Sequence, residues 1–77
     1  MENSKSHGTV QILLDQYLHD HDISKNKASR KANITRTRFN AYCKNTVQRV
    51  DLDVLARLCD ALDCSIEDLL RYIPKEP

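Results

Sequence analysis

Lys25, Lys27, Arg30, Lys31, Arg36, Arg38, Lys44 and Arg49 crowd the stretch from Ile23 to Val50, which holds no Asp or Glu. The rest of the chain reverses the balance, with four Lys or Arg (Lys5, Arg57, Arg71, Lys75) against eleven acids. Charges of +8 and −7 therefore lie behind a net charge of +1. Such a dipole attracts a polyanion to one side and repels it from the other, which orients the encounter as well as driving it. The chemistry on offer is ionic and hydrogen-bonding: a guanidinium fork can donate two bonds to a guanine edge or a phosphate, and Lys supplies point charge.

The remaining reactive residue types form weaker patterns. His19 and His21 beside Asp20 and Asp22 read as a solvated helix end, because no nucleophile or oxyanion-binding Gly loop accompanies them. Cys43, Cys59 and Cys64 are odd in number and lack the paired spacing of a zinc site, so they read as small buried hydrophobes in a reducing compartment. Cys43 becomes a sensor of oxidants only if it is exposed. The expectation is no metal, no cofactor, no small-molecule ligand and no catalysis.

The elements that must position the cations follow from composition and periodicity. At 77 residues there is room for one small domain, and a single Gly, two Pro and no Trp favour helices over a turn-rich sheet. No apolar run approaches the roughly 18 residues that cross a bilayer, and residues 1–8 are polar, which places the protein in the cytoplasm. The division expected is a tail over 1–8, a domain over 9–74 and a tail over 75–77.

Apolar residues at Val10, Leu13, Leu14, Tyr17 and Leu18 give the stripe of an amphipathic helix that Thr9 would cap. Ser24 caps a short helix to about Ala32, whose Ala28, Ser29 and Ala32 permit close packing. Asn33 takes the left-handed turn position and Ile34 plugs the core. Thr35 caps a helix over about 36–44 that buries Phe39 and Tyr42 or Cys43, and Asn45 caps its C-terminal end. Asp51 caps a helix over 52–62 with Val54, Leu55, Leu58, Cys59 and Leu62 inward, and Val50 with Leu55 matches a hydrophobic staple. Ser65 and Asp68 open a fifth helix carrying Ile66, Leu69, Leu70 and Ile73, which Pro74 stops. Five short helices make an all-α, compact bundle.

Two of those helices, separated by a turn of about four residues, lie inside the acid-free window. The stretch from Ser24 to Phe39 resembles the motif of the Cro and lambda-repressor-type (XRE-type) helix-turn-helix regulators: Ser29 matches its small position, Asn33 its turn Gly, Ile34 the apolar residue that follows, and Phe39 the buried one. The stretch from Val50 to Leu70 is similar to the family's fourth helix and the start of its fifth, so the likeness covers roughly residues 10–73. Two departures are Asn33 for the commoner Gly, and Lys25 where many members carry a Gln that touches phosphate.

The resemblance implies a lambda-repressor-like DNA-binding fold, with the motif over about 24–44 and the helix over 36–44 reading the major groove. It assigns base contacts to Thr35, Arg36, Thr37, Asn40 and Ala41, and phosphate contacts to Lys25, Asn26, Arg38, Lys44, Asn45, Thr46 and Arg49. The function expected is a sequence-specific transcriptional repressor that binds double-stranded DNA at a pseudopalindromic operator. One half-site binds weakly, so a homodimer is expected, with half-sites about 34 to 36 Å apart. Leu70, Tyr72 and Ile73 exceed what a small core needs and form a candidate dimer patch. The competing reading is a non-catalytic interaction module, an antitoxin or inhibitor, that sets the basic face against an acidic protein. RNA fits less well, because a helix cannot read its deep, narrow major groove.

Overall fold

The computed structural model describes residues 7–75. A short strand β1 (Thr9–Ile12) leads into helix α1 (Leu14–Asp20), followed by α2 (Lys25–Lys31), α3 (Arg36–Cys43) and α4 (Leu52–Leu62). A single 3-10 turn (Ile66–Asp68) then returns the chain to strand β2 (Leu70–Ile73), which pairs antiparallel with β1. Residues 1–6 of the expected N-terminal tail and 76–77 of the C-terminal one lie outside the described residues.

Three helices stand where their periodicity and caps place them. Ser24 Oγ accepts from the Lys27 amide (3.0 Å), Thr35 Oγ1 from the Arg38 amide (3.3 Å) and Asp51 Oδ1 from the Asp53 amide (2.9 Å). Each bond satisfies a helix-start N–H that has no partner within the helix. Ala28, Ser29 and Ala32 are all buried, and the absence of bulk at these positions lets α2 close on its neighbours. Phe39, Leu14, Leu58 and Leu69 are the largest side chains shut off from solvent, and Val54, Leu55, Ala61 and Leu62 complete the α4 side of the core. Phe39 joins α3 to that core, and its truncation to Ala should cost about 3 to 5 kcal/mol in thermal unfolding.

The all-helical expectation fails at both ends. Thr9 caps nothing: with Val10 and Ile12 it forms β1, and α1 begins at Leu14 with no side-chain cap. The fifth helix shrinks to the 3-10 turn, and Leu70 to Ile73 are extended. The capping-box contact does form, since the Ser65 amide donates to Asp68 Oδ2 at 3.0 Å, but it supports one turn only. In the ribbon Ile12 faces Leu70 and Val10 faces Tyr72. Ile12 is buried and Leu70 half-buried against the core, so the pair at the inner end ties both chain ends to the bundle.

The four α-helices of the described residues end alike. Asp22, Asn33, Asn45 and Asp63 adopt left-handed backbone, with φ of 54°, 57°, 61° and 53°. After each, the next amide reaches back five residues: Ile23 to the Leu18 carbonyl, Ile34 to Ser29, Thr46 to Ala41 and Cys64 to Cys59, over 2.9–3.2 Å. These bonds satisfy the orphan carbonyls of the last turn, in the position where Gly is the usual residue.

Candidate nucleic-acid interface

Helix α3 is held on two sides. The turn from Ala32 to Thr35 fixes its start against α2, and this turn is itself tied to α4, because Arg57 donates to the Asn33 carbonyl (3.0 Å) while pairing with Asp53 (2.9 Å). At the other side the Asp51 amide donates to the buried Tyr42 hydroxyl at 3.0 Å, joining α3 to the first turn of α4. Phe39, Tyr42 and Cys43 all turn inward, resolving the alternative between Tyr42 and Cys43 in favour of both.

With those three inward, 100° per residue leaves Thr37, Asn40, Ala41 and Lys44 on the outer side and Arg36 and Arg38 on its two flanks. Arg36, Thr37 and Lys44 are exposed, and Asn40 and Ala41 half-exposed. Arg36 Nε points to Asn40 Oδ1 at 3.4 Å, a long contact that leaves the terminal guanidinium nitrogens available. Thr35 already accepts from the Arg38 amide, so its hydroxyl has one remaining donor for a ligand. Among the described residues Arg36, Lys44 and Arg49 form no ion pair.

The other expected contacts divide. Lys25 and Asn26 are exposed at the start of α2, and Lys25 Nζ lies 3.5 Å from Asp15 of α1, which lowers the net positive charge there. Arg38 turns to the α4 flank and pairs with Asp51 Oδ2 at 3.2 Å; a phosphate would have to compete with that carboxylate. Hydrogen bonds from the Asp53 amide and from Arg38 hold the Asp51 carboxyl below the usual carboxylate range. Thr46 is exposed, with its hydroxyl donating to the Ala41 carbonyl at 3.2 Å.

Asn45 leaves the phosphate set. Its amide nitrogen donates to the Ile12 carbonyl and its Oδ1 accepts from the Ile12 amide, both at 2.7 Å, so the side chain is committed to β1. Nor is the acid-free window one face: Lys27 and Lys31 line a groove against Ala61, Leu62 and Asp63 at the end of α4. Cys43 is buried, and burial pushes its thiol up from the ordinary value, which removes the premise of an exposed oxidant sensor.

Sequence reasoning missed three residues that shape the site: Arg57, Asp15 and Asn45 in its clamping role. The Asp53–Arg57 spacing of four is a sequence signal for an ion pair on one helix. Nothing local announces that Asn45 meets a residue 33 positions earlier.

Two short helices joined by a left-handed turn, the second with its outer side free of carboxylates, define a helix-turn-helix protein. The chain belongs to the family of Cro/C1-type helix-turn-helix DNA-binding domains, whose model matches residues 14–75. The crystal structure of the transcriptional regulator VanUg resembles it with a TM-score of 0.70 at 26% identity, over 97% of this chain and 100% of that one. A Bacteroides fragilis protein provisionally designated DNA-binding has a TM-score of 0.70 at 14% identity, over 82% of this chain and 100% of its own, a likeness of fold. No curated protein matches the chain. Double-stranded DNA is the partner the domain is built for, and no helix among the described residues is long and apolar enough to cross a membrane.

Proposed function

We propose that this protein is a sequence-specific transcriptional repressor that lays α3 in the major groove of an operator. The observation that carries the reading is the outer side of α3, where Arg36, Thr37, Asn40 and Lys44 stand exposed or half-exposed with no carboxylate paired to them among the described residues. Arg36 reads guanine through O6 and N7, a contact that discriminates by about 1 to 3 kcal/mol, with Thr35, Thr37, Asn40 and Ala41 completing the base set. Lys25, Asn26, Lys44, Thr46 and Arg49 fix the register on phosphates.

Two copies pair through the ribbon. The candidate patch lies on β2 rather than on a helix: Tyr72 is 61% and Ile73 37% exposed, Leu70 is half-buried, and Val10, 64% exposed, sits beside Tyr72 in register. The Leu13 amide bonds across to Leu69, and Ile12 turns its polar groups away from β2, so alternation directs those of Leu70 and Tyr72 outward along an edge with no strand beside it among the described residues. An open edge with apolar neighbours is a template for a second copy.

Selection from random duplexes, followed by gel shift of the retained sequence, tests the reading. The expected product is an inverted repeat whose affinity falls with salt at a log-log slope near −0.9 per phosphate contacted. Arg36→Ala should lose about 10- to 100-fold of the preference for the selected over a scrambled site. Lys44→Ala should weaken both alike and lower the salt slope by about one. Equal behaviour of the two variants overturns the assignment, and no duplex retention at low salt favours an acidic protein partner.

A further inference from the structure

We propose that Asn45 is a positioning residue that locks the reading helix to the pairing ribbon and so sets which half-site spacing the protein accepts. This rests on the reading in which α3 enters the groove and copies pair through the ribbon. Asn45 comes just after Lys44, the C-terminal cap of α3, in left-handed backbone where Gly is the unstrained choice. Its side chain makes both hydrogen bonds that a neighbouring strand would make to Ile12, donating to the carbonyl and accepting from the amide at 2.7 Å each. The outer edge of β1 is thereby closed at Ile12 by a group that moves with the end of α3.

The other three left-handed residues, Asp22, Asn33 and Asp63, make no side-chain hydrogen bond among the described residues, so the clamp is particular to the helix that meets DNA. Only a carboxamide fits both halves of it, since Asp offers no donor to the Ile12 carbonyl and Gly offers nothing. If each protomer presents its α3 through a ribbon shared with its partner, the distance between the two α3 helices is fixed only as firmly as α3 is fixed to β1. Spacing selectivity is then a property of Asn45, whereas affinity for an isolated half-site is not.

The test compares wild type, Asn45→Gly and Asn45→Asp on duplexes that carry one selected half-site, or two separated by every spacer from abutting to one helical turn. Wild type should prefer one spacing by about tenfold or more, the gain of a second site held at matching geometry. Asn45→Gly, which keeps the backbone conformation, should flatten that profile while leaving single-half-site affinity within about twofold. Asn45→Asp should flatten it as well. Hydrogen exchange gives the independent readout: the Ile12 amide should be protected in wild type and released in Asn45→Gly, with Leu58 protected in both. An unchanged spacing profile in Asn45→Gly, or an unprotected Ile12 amide in wild type, overturns the proposal. A wild type with no spacing preference overturns the pairing reading and this one together, and retention of the α3 base preference then shows that DNA reading itself stands.

Discussion

Asp51 carries three duties at once: its Oδ1 caps α4, its Oδ2 holds Arg38, and its backbone amide donates to the Tyr42 hydroxyl. The first two favour the ionised carboxylate and depress its pKa. The stabilisation is therefore complete above the ordinary carboxylate value near pH 4 and drains away as pH falls below it, through the lowered folded value. Thermal unfolding between pH 5 and about 2.5 should show wild type losing more stability than Asp51→Asn, which keeps a capping oxygen but does not titrate. Parallel pH profiles would show that the pair with Arg38 contributes nothing. That same pair takes Arg38 from the free cations and leaves Arg36 as the guanidinium beside the outer side of α3 with no carboxylate paired to it among the described residues.

The helices show how far local pattern reaches. Ser24, Thr35 and Asp51 were legible as caps, and Phe39, Tyr42, Val54, Leu55 and Leu58 as core, because capping and 3.6-residue periodicity are decided within one turn of chain. The ribbon was not. Val10, Leu13, Leu14, Tyr17 and Leu18 satisfy a helical stripe, and the competing alternation of Thr9, Val10, Gln11 and Ile12 is only four residues long. Its partner, Leu70 to Ile73, is some sixty residues away, and pairing between such short segments is settled by tertiary contact.

The helix ends hold unused stability. Asp63 combines left-handed strain with a negative charge at the C-terminal end of α4, where the helix dipole is also negative. Asp63→Gly should raise stability by about 1 kcal/mol, or about 4 to 8 °C in Tm for a domain of this size. Ser24→Ala should lower it by about 1 kcal/mol through loss of the Lys27 cap. Calorimetry on the two variants checks both signs, and a drop for Asp63→Gly would mean that its carboxylate has a role outside the backbone bonds.

For the whole molecule the interest lies in the division between the bundle and the ribbon at its edge. Gly8 enters the ribbon so close to the Ile73 carbonyl and the Tyr72 ring that a Cβ has no room, which fixes the open end of the pair. Val10 and Tyr72 then remain side by side in water, the apolar surface on which the proposed pairing rests. Tyr72→Lys should abolish concentration-dependent association in sedimentation velocity and steepen the protein dependence of operator binding, with half-site affinity unchanged. An identical sedimentation profile for wild type and variant removes the ribbon from the assembly.

With no Trp in the chain, its three tyrosines become natural reporters of separate events. Tyr17 stacks on His21 at the far end of α1, Tyr42 lies on the buried side of α3, and Tyr72 stands on the ribbon. Fluorotyrosine incorporation would thus place three reporters in one sample: under the proposed function Tyr17 should stay silent, Tyr42 should answer to nucleic acid and Tyr72 to self-association, so that the order of the two events can be watched directly.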